Sequence, residues 1–220
     1  MAAARYYYDP ARPSAFSTEE KLWAAVKKPV GTWLERQDAY ALHRQVRKRF
    51  PRNPYSVNNV MDVWECDLVD VRSLAKFNGN HKYILSVIDV FSKFLHMVPL
   101  KSKTGAAVAS AFEYVLRDPR YSKPKRRPIW VRTDKGKEFL SGEFQRVLKR
   151  EGIQFQVCKN PDVKCSIVER AHRTVKNKIY KYFRYKNTYR YTDVLPKFVA
   201  AYNATVHSAT GMTPGESDRF

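Results

Sequence analysis

Apolar positions along the chain change their spacing twice, and the changes divide it. The first 16 residues, with Tyr6, Tyr7, Tyr8, Pro10 and Pro13, have no period and read as an extended arm. Ser17 followed by Glu20 forms a capping-box pattern ahead of Leu22, Trp23 and Val26, so a helix is expected there. Pro29 and Gly31 break it, and Trp33, Leu34, Ala39, Ala41 and Leu42 mark a second helix running to about Val46. Two helices around a short turn read either as a helix-turn-helix, with Arg44, Arg47, Lys48, Arg49 and Arg52 at its exit, or as a plain hairpin packed on the rest of the chain. Pro51 and Pro54 make 50–59 a linker. From Val63 the pattern becomes strand-like: Val63–Val71, Tyr83–Phe91 and Phe94–Leu100 predict an antiparallel trio, with Asn78-Gly79 as a turn between the first two. Helix and strand then alternate. Helices are expected at about 104–116, 140–151, 163–185 and 192–207, and strands at 128–133 and 153–157.

Three meandering strands followed by alternating helix and strand describe a mixed five-stranded sheet flanked by helices, the order of a ribonuclease H-like α/β fold. The expected division is 1–59, a small helical N-terminal segment with its linker, and 60–220, the main domain. At 220 residues and 44% hydrophobic, the chain affords a core, and no run approaches the roughly 18 apolar residues of a membrane span. A secretory leader is not expected at Met1. Cys66, Cys158 and Cys165 form no disulfide framework, which suits a reducing, intracellular setting, and a zinc site from Cys158, Cys165 and His172 is not expected.

Charge sharpens the picture. The chain carries +20, and the excess is local. Residues 61–119 hold seven basic and seven acidic side chains; residues 120–190 hold 21 and six, net +15. Such a field concentrates polyanions, with nucleic acid the default partner, although a basic surface kept for solubility has the same composition.

Three acids stand out by position. Asp67 interrupts a core strand, which costs several kcal/mol unless balanced. Asp134 ends the fourth strand, at the sheet edge where open α/β folds place ligands. Glu169 falls early in the long helix. Each has an ordinary reading: Asp67 as partner of a buried base, Asp134 as a turn residue, Glu169 as a solvated helix residue. Together they suggest a hard-oxygen site for Mg²⁺ or Mn²⁺, and two such ions about 3.5–4 Å apart suit phosphodiester chemistry. On the long helix, Val168, Ala171, Val175, Ile179 and Tyr182 form an apolar stripe, and Glu169, Arg173, Lys176 and Tyr180 a neighbouring one. Lys176 and Arg173 are therefore candidate phosphate contacts beside Glu169, with Lys164, Lys178 and Lys181 as further candidates; an i,i+4 Glu169–Arg173 pair is the plainer alternative.

The runs Trp64-Glu65-Cys66-Asp67, Thr133-Asp134-Lys135-Gly136-Lys137-Glu138-Phe139 and Val168-Glu169-Arg170-Ala171-His172-Arg173-Thr174-Val175-Lys176 resemble the three signature blocks of retroviral-type integrase catalytic cores. Tyr202-Asn203 through His207, then Thr210-Gly211-Met212-Thr213-Pro214, is similar to the segment that closes such cores. Residues 37–43 and 47–52 resemble integrases of Maverick/Polinton DNA transposons. The core resemblance covers about residues 60–216. It implies a metal-dependent polynucleotidyl transferase with nuclease activity, in which Asp67, Asp134 and Glu169 bind two Mg²⁺ or Mn²⁺ ions. It also implies 3′-end processing and strand transfer, double-stranded DNA and a homo-oligomer as partners, and a nuclear location, with Arg173 and Lys176 facing element DNA. A degenerate copy that only binds DNA, and a ribonuclease H-type nuclease acting on RNA–DNA hybrids, are the competing expectations. The 34 residues between Asp134 and Glu169 are about one fewer than usual for the family, and no His-His-Cys-Cys zinc module precedes the core.

Overall fold

A computed structural model describes residues 2–43, 57–121, 126–158 and 165–217. The N-terminal segment folds as α1 (Ala2–Tyr7), α2 (Glu19–Val26), α3 (Gly31–Glu35) and α4 (Asp38–Ala41). The main domain runs β1 (Val63–Asp70), β2 (Tyr83–Asp89), β3 (Leu95–Leu100), α5 (Gly105–Leu116), β4 (Trp130–Thr133), α6 (Gly142–Glu151), β5 (Gln154–Val157), α7 (Ser166–Lys186), α8 (Leu195–Asn203) and α9 (Pro214–Ser217). The strands lie in the order β3-β2-β1-β4-β5, with β1, β2 and β3 antiparallel and β4 and β5 parallel to β1. This is the expected ribonuclease H-like sheet. A 3-10 helix (Arg72–Phe77) lengthens the β1–β2 connection, so the positive φ falls on Gly79 and Asn80 beyond it rather than in a two-residue hairpin.

Strand alternation sorts side chains onto two faces. Trp64, Cys66, Leu85, Val87 and Val131 pack with Val108, Phe112 and Val115 of α5 and with Phe144, Val147 and Leu148 of α6. Both helices start on a side-chain cap: Thr104 Oγ1 accepts from the Ala107 N–H and Ser141 Oγ from the Phe144 N–H, and α6 ends on Gly152 at φ 71°. The opposite face, with Ile84, Ile88 and Leu95, is covered by Val168, Ala171, Val175 and Ile179 of α7 and by Leu195 and Phe198 of α8. Asn203 closes the free edge of β3: its Oδ1 accepts from the Leu95 N–H and its Nδ2 donates to the Leu95 carbonyl, both at 2.9 Å.

The N-terminal segment departs most from expectation. Residues 2–16 are not an extended arm. α1 and the turns after it bury Tyr7, Ala15 and Phe16 in the same core as α7 and α8, together with Leu22, Val30, Leu34 and Ala39. Tyr8 stacks on Tyr185 at 3.9 Å between ring centroids. The capping box does not form: Ser17 Oγ donates to the Ser14 carbonyl, and Thr18 holds the N-cap position of α2 without a side-chain bond. In place of the second expected helix the chain forms α3 and α4, which span five and four residues, too short for a groove-reading helix, and which pack against the main domain. The Arg44–Arg52 exit lies outside the described residues.

Candidate active site

Sheet register brings the first two acids together. β1 and β4 are parallel neighbours in which Glu65 is level with Arg132. The pairing ends there; Asp67 lies two residues further along β1, and Asp134 two residues beyond Arg132, just past the last residue of β4. Asp67 shares its face with Glu65 and Val69, the face that α7 covers. Glu169 lies in the first turn of α7, where the helix dipole favours a carboxylate.

The electrostatics report the convergence. The Asp67 carboxyl is pushed up from 3.8 to about 7, first by burial and then by the like charges of Asp134, Glu169 and Glu138, against a lowering bond from the Leu68 N–H. That bond, to Oδ1, is 2.8 Å. Asp134 is exposed, and its Oδ1 accepts from the Gly136 N–H at 3.0 Å. A Cβ on Gly136 would stand 3.0 Å from both Asp134 Oδ1 and the Glu138 carboxylate, so glycine leaves room for the two acids to face each other. Asp134 is thus both the turn residue and the strand-end acid. Among the described residues no three His, Cys, Asp or Glu side chains are close enough to form a ready-made metal cage. The donors that Asp67, Asp134 and Glu169 offer are hard oxygens of the kind Mg²⁺ and Mn²⁺ accept.

His172, one turn beyond Glu169, sets its Nδ1 3.5 Å from Asp67 Oδ2. Burial and the Lys176 charge drive the imidazole down to about 4, so it is neutral at pH 7 and the contact is not an ion pair. Its Nε2 is buried without a partner.

Glu65 was not singled out from sequence. It is 0% exposed, and its Oε2 accepts from the Ile167 and Val168 N–H groups at 3.0 and 2.9 Å. These are free donors at the start of α7, whose N-cap residue Cys165 supplies no side-chain bond. A β1 carboxylate therefore does the capping, and it fixes the helix that carries Glu169 to the strand that carries Asp67. The signal was available: Glu65 and Asp67 share parity on a buried strand. Glu138, four residues beyond Asp134, adds its like charge to the same group of acids.

The cationic candidates separate. Arg173 and Lys176 are exposed on α7 one and two turns from Glu169, with Lys176 Nζ 5.9 Å from the Tyr180 ring centroid. Lys178 and Lys181 are only 6% and 8% exposed. Lys178 Nζ donates to the Pro13 carbonyl at 3.3 Å, and Lys181 Nζ to the Phe16 carbonyl at 3.0 Å beneath the Tyr40 ring. Burial pushes both ammonium groups down to about 8. They tie the N-terminal segment to α7 with their ammonium groups on buried carbonyls rather than on the exposed stripe of Arg173 and Lys176, which corrects their assignment as DNA contacts. Lys164 lies outside the described residues. Asp70 faces solvent and pairs with Arg72 at 2.7 Å, apart from the site.

Residues 57–161 match the family model of the integrase core domain. A transposon-derived protein of Caenorhabditis elegans is 33% identical over 144 residues, covering 66% of this chain and 48% of that protein. The Pol polyprotein of radiation murine leukemia virus (strain Kaplan) is 30% identical over 156 residues, covering 70% of this chain and 25% of the polyprotein. The chain thus spans about half the length of the first relative and a quarter of the second. The dimeric HTLV-2 integrase catalytic core domain, solved in complex with magnesium, superposes with a TM-score of 0.57 at 22% identity, covering 73% of this chain and 97% of that one.

Proposed function

From the integrase core domain that residues 57–161 match, we propose that this chain is a divalent-metal-dependent DNA integrase that processes 3′ ends of element DNA and transfers them to target DNA. The observation that carries the reading is that Asp67, on the strand paired parallel to β4, is raised by the like charges of Asp134 beyond β4 and Glu169 on α7. Asp67, Asp134 and Glu169 would hold the metal. Divalent cations held there would supply activation of the attacking oxygen and charge neutralisation at the leaving oxygen of a phosphodiester. The chain supplies positioning. Glu65 and the sheet register set the carboxylates, and neutral His172 accommodates the Asp67 carboxyl without a competing positive charge.

Exposed Arg173 and Lys176 support a DNA backbone path along α7 toward Glu169. Double-stranded DNA is the partner, and a homo-oligomer is needed to hold two ends. Among the described residues no helix is long and apolar enough to cross a membrane. A nuclear location belongs to the same proposal. Residues 37–43 and 47–52 support a relationship to Maverick/Polinton integrases.

The test is joining of labelled oligonucleotides in Mn²⁺, without assuming a terminal sequence. Metal-dependent nicking and joining supports the reading. Salt-sensitive binding without joining marks a DNA-binding remnant, and cleavage confined to RNA–DNA hybrids marks a ribonuclease H. Separately, Arg173→Ala and Lys176→Ala should each reduce the slope of log affinity against log salt by about 1 in fluorescence anisotropy. Lys181→Ala should leave that slope unchanged and lower the thermal midpoint, because the Phe16 carbonyl loses its donor. A reduced slope in Lys181→Ala would place its charge on DNA instead.

A further inference from the structure

Cys158 and Cys165 take no part in the chemistry above, yet they are brought into contact. Cys158 follows β5, and its N–H donates to the Thr133 carbonyl at 2.8 Å. Cys165 is the N-cap residue of α7, and its carbonyl accepts from the Glu169 N–H at 3.1 Å. Both backbones are thus fixed by main-chain hydrogen bonds, and the two Sγ atoms lie 3.3 Å apart. A disulfide bond is about 2.05 Å long, so closure asks for a shift of roughly 1.2 Å.

The two thiols differ in a way that orders the chemistry. Cys158 is partly exposed, and Cys165 is buried beneath it. Contact with the Cys165 thiol lowers the Cys158 pKa, and the Arg132 charge adds to that effect. An accessible thiol with raised thiolate character beside a buried second thiol is the arrangement of a reactive and a resolving cysteine. The third thiol, Cys66, is fully buried in the sheet, which makes it an internal control.

We propose that Cys158 and Cys165 form an oxidative modification site, in which a low-molecular-weight disulfide converts the pair into an intrachain bond between the end of β5 and the start of α7. The Cys158 thiolate attacks one sulfur of the reagent and expels one thiolate. Cys165 then gives its proton to solvent and attacks the Cys158 sulfur of the mixed disulfide, expelling the second. Two electrons pass from the protein to the reagent, which leaves as two thiols. The bond anchors the first turn of α7, the turn that Glu65 caps and Glu169 occupies. The inference rests on thiol chemistry and stands apart from the transferase reading.

Oxidised glutathione is the probe, applied to the native chain and read by intact mass, peptide mapping and thiol titration. The expected product has lost two hydrogen masses, shows one titratable thiol in place of three, carries a Cys158–Cys165 linkage, and reverts with dithiothreitol. Cys165→Ser should stop at a stable glutathione adduct on Cys158, and Cys158→Ser should remain unmodified in the native state. Three surviving thiols, a stable glutathione adduct in the unsubstituted chain, or a bond between two chains would each overturn the proposal.

Discussion

Asp67→Asn is expected to abolish Mn²⁺-dependent strand transfer, by at least about a thousandfold or roughly 4 kcal/mol of barrier, while making the metal-free protein more stable. The two effects have one origin. Asp67 lies between β1 and α7, facing Asp134, Glu169 and Glu138, and its folded-state pKa of about 7 stands above the ordinary 3.8. Over that interval the native state binds a proton that the unfolded state has released. This group's contribution to stability is therefore fully present below about pH 4 and lost as pH rises through 7. The metal-free protein should lose thermal stability from pH 5 to 8 more steeply than Asp67→Asn does. Added Mg²⁺ or Mn²⁺ should raise the midpoint of the unsubstituted chain at pH 8 and leave the variant nearly unmoved. Because the carboxylate must be deprotonated to serve as a ligand, metal affinity should increase with pH up to about 7. Differential scanning fluorimetry across pH, with and without metal, reads all of this. Equal pH slopes in the two proteins, or undiminished strand transfer in the variant, would remove Asp67 from the site.

Glu65→Ala should be the most damaging substitution for stability. It leaves the Ile167 and Val168 N–H groups without their acceptor at a buried helix start, at a cost of about 1–3 kcal/mol each, and it empties the side chain's volume. A loss of about 3 kcal/mol lowers the thermal midpoint of a chain this size by roughly 6–12 °C. Glu65→Gln retains an oxygen acceptor and gives up only the charge facing the helix dipole, so it should lose about 1 kcal/mol. The pair of variants separates capping from bulk packing. If Gln and Ala are equally destabilising, the negative charge rather than the acceptor is what α7 needs. If neither matters, the strand–helix link is not what sets α7. The same ordering should appear in Mn²⁺-dependent joining at temperatures where all three proteins are folded, since α7 carries Glu169.

How far the sequence could be read depended on the kind of signal. Period-2 and period-3.6 runs located all five strands and four of the five main-domain helices, α5–α8, within a few residues, because hydrophobic alternation is set by the burial it produces; the four-residue α9 is too short to show a period. The strand-interior aspartate and the strand-end aspartate were legible for the same reason: each is out of place for a residue that only packs. Lys178 and Lys181 were not legible. A lysine on a helix reads as exposed charge, and nothing local records that carbonyls of Pro13 and Phe16, more than 160 residues earlier, receive its ammonium group. Residues 2–16 failed likewise, since Phe16 is buried by aromatic contacts with α7 and α8, and Tyr7 by contacts with Phe16 and Trp33, rather than by their own periodicity. Glu65 sits between these cases. Its parity with Asp67 placed it on the buried face, but the partner that satisfies it begins 102 residues later.

Crystals grown or soaked in Mn²⁺, measured at a wavelength where manganese scatters anomalously, address the central claim most directly. An anomalous peak bounded by the carboxylates of Asp67 and Asp134, with Glu169 turned toward it from α7, is the predicted result. Manganese bound elsewhere, or the three carboxylates still apart at saturating metal, would contradict it.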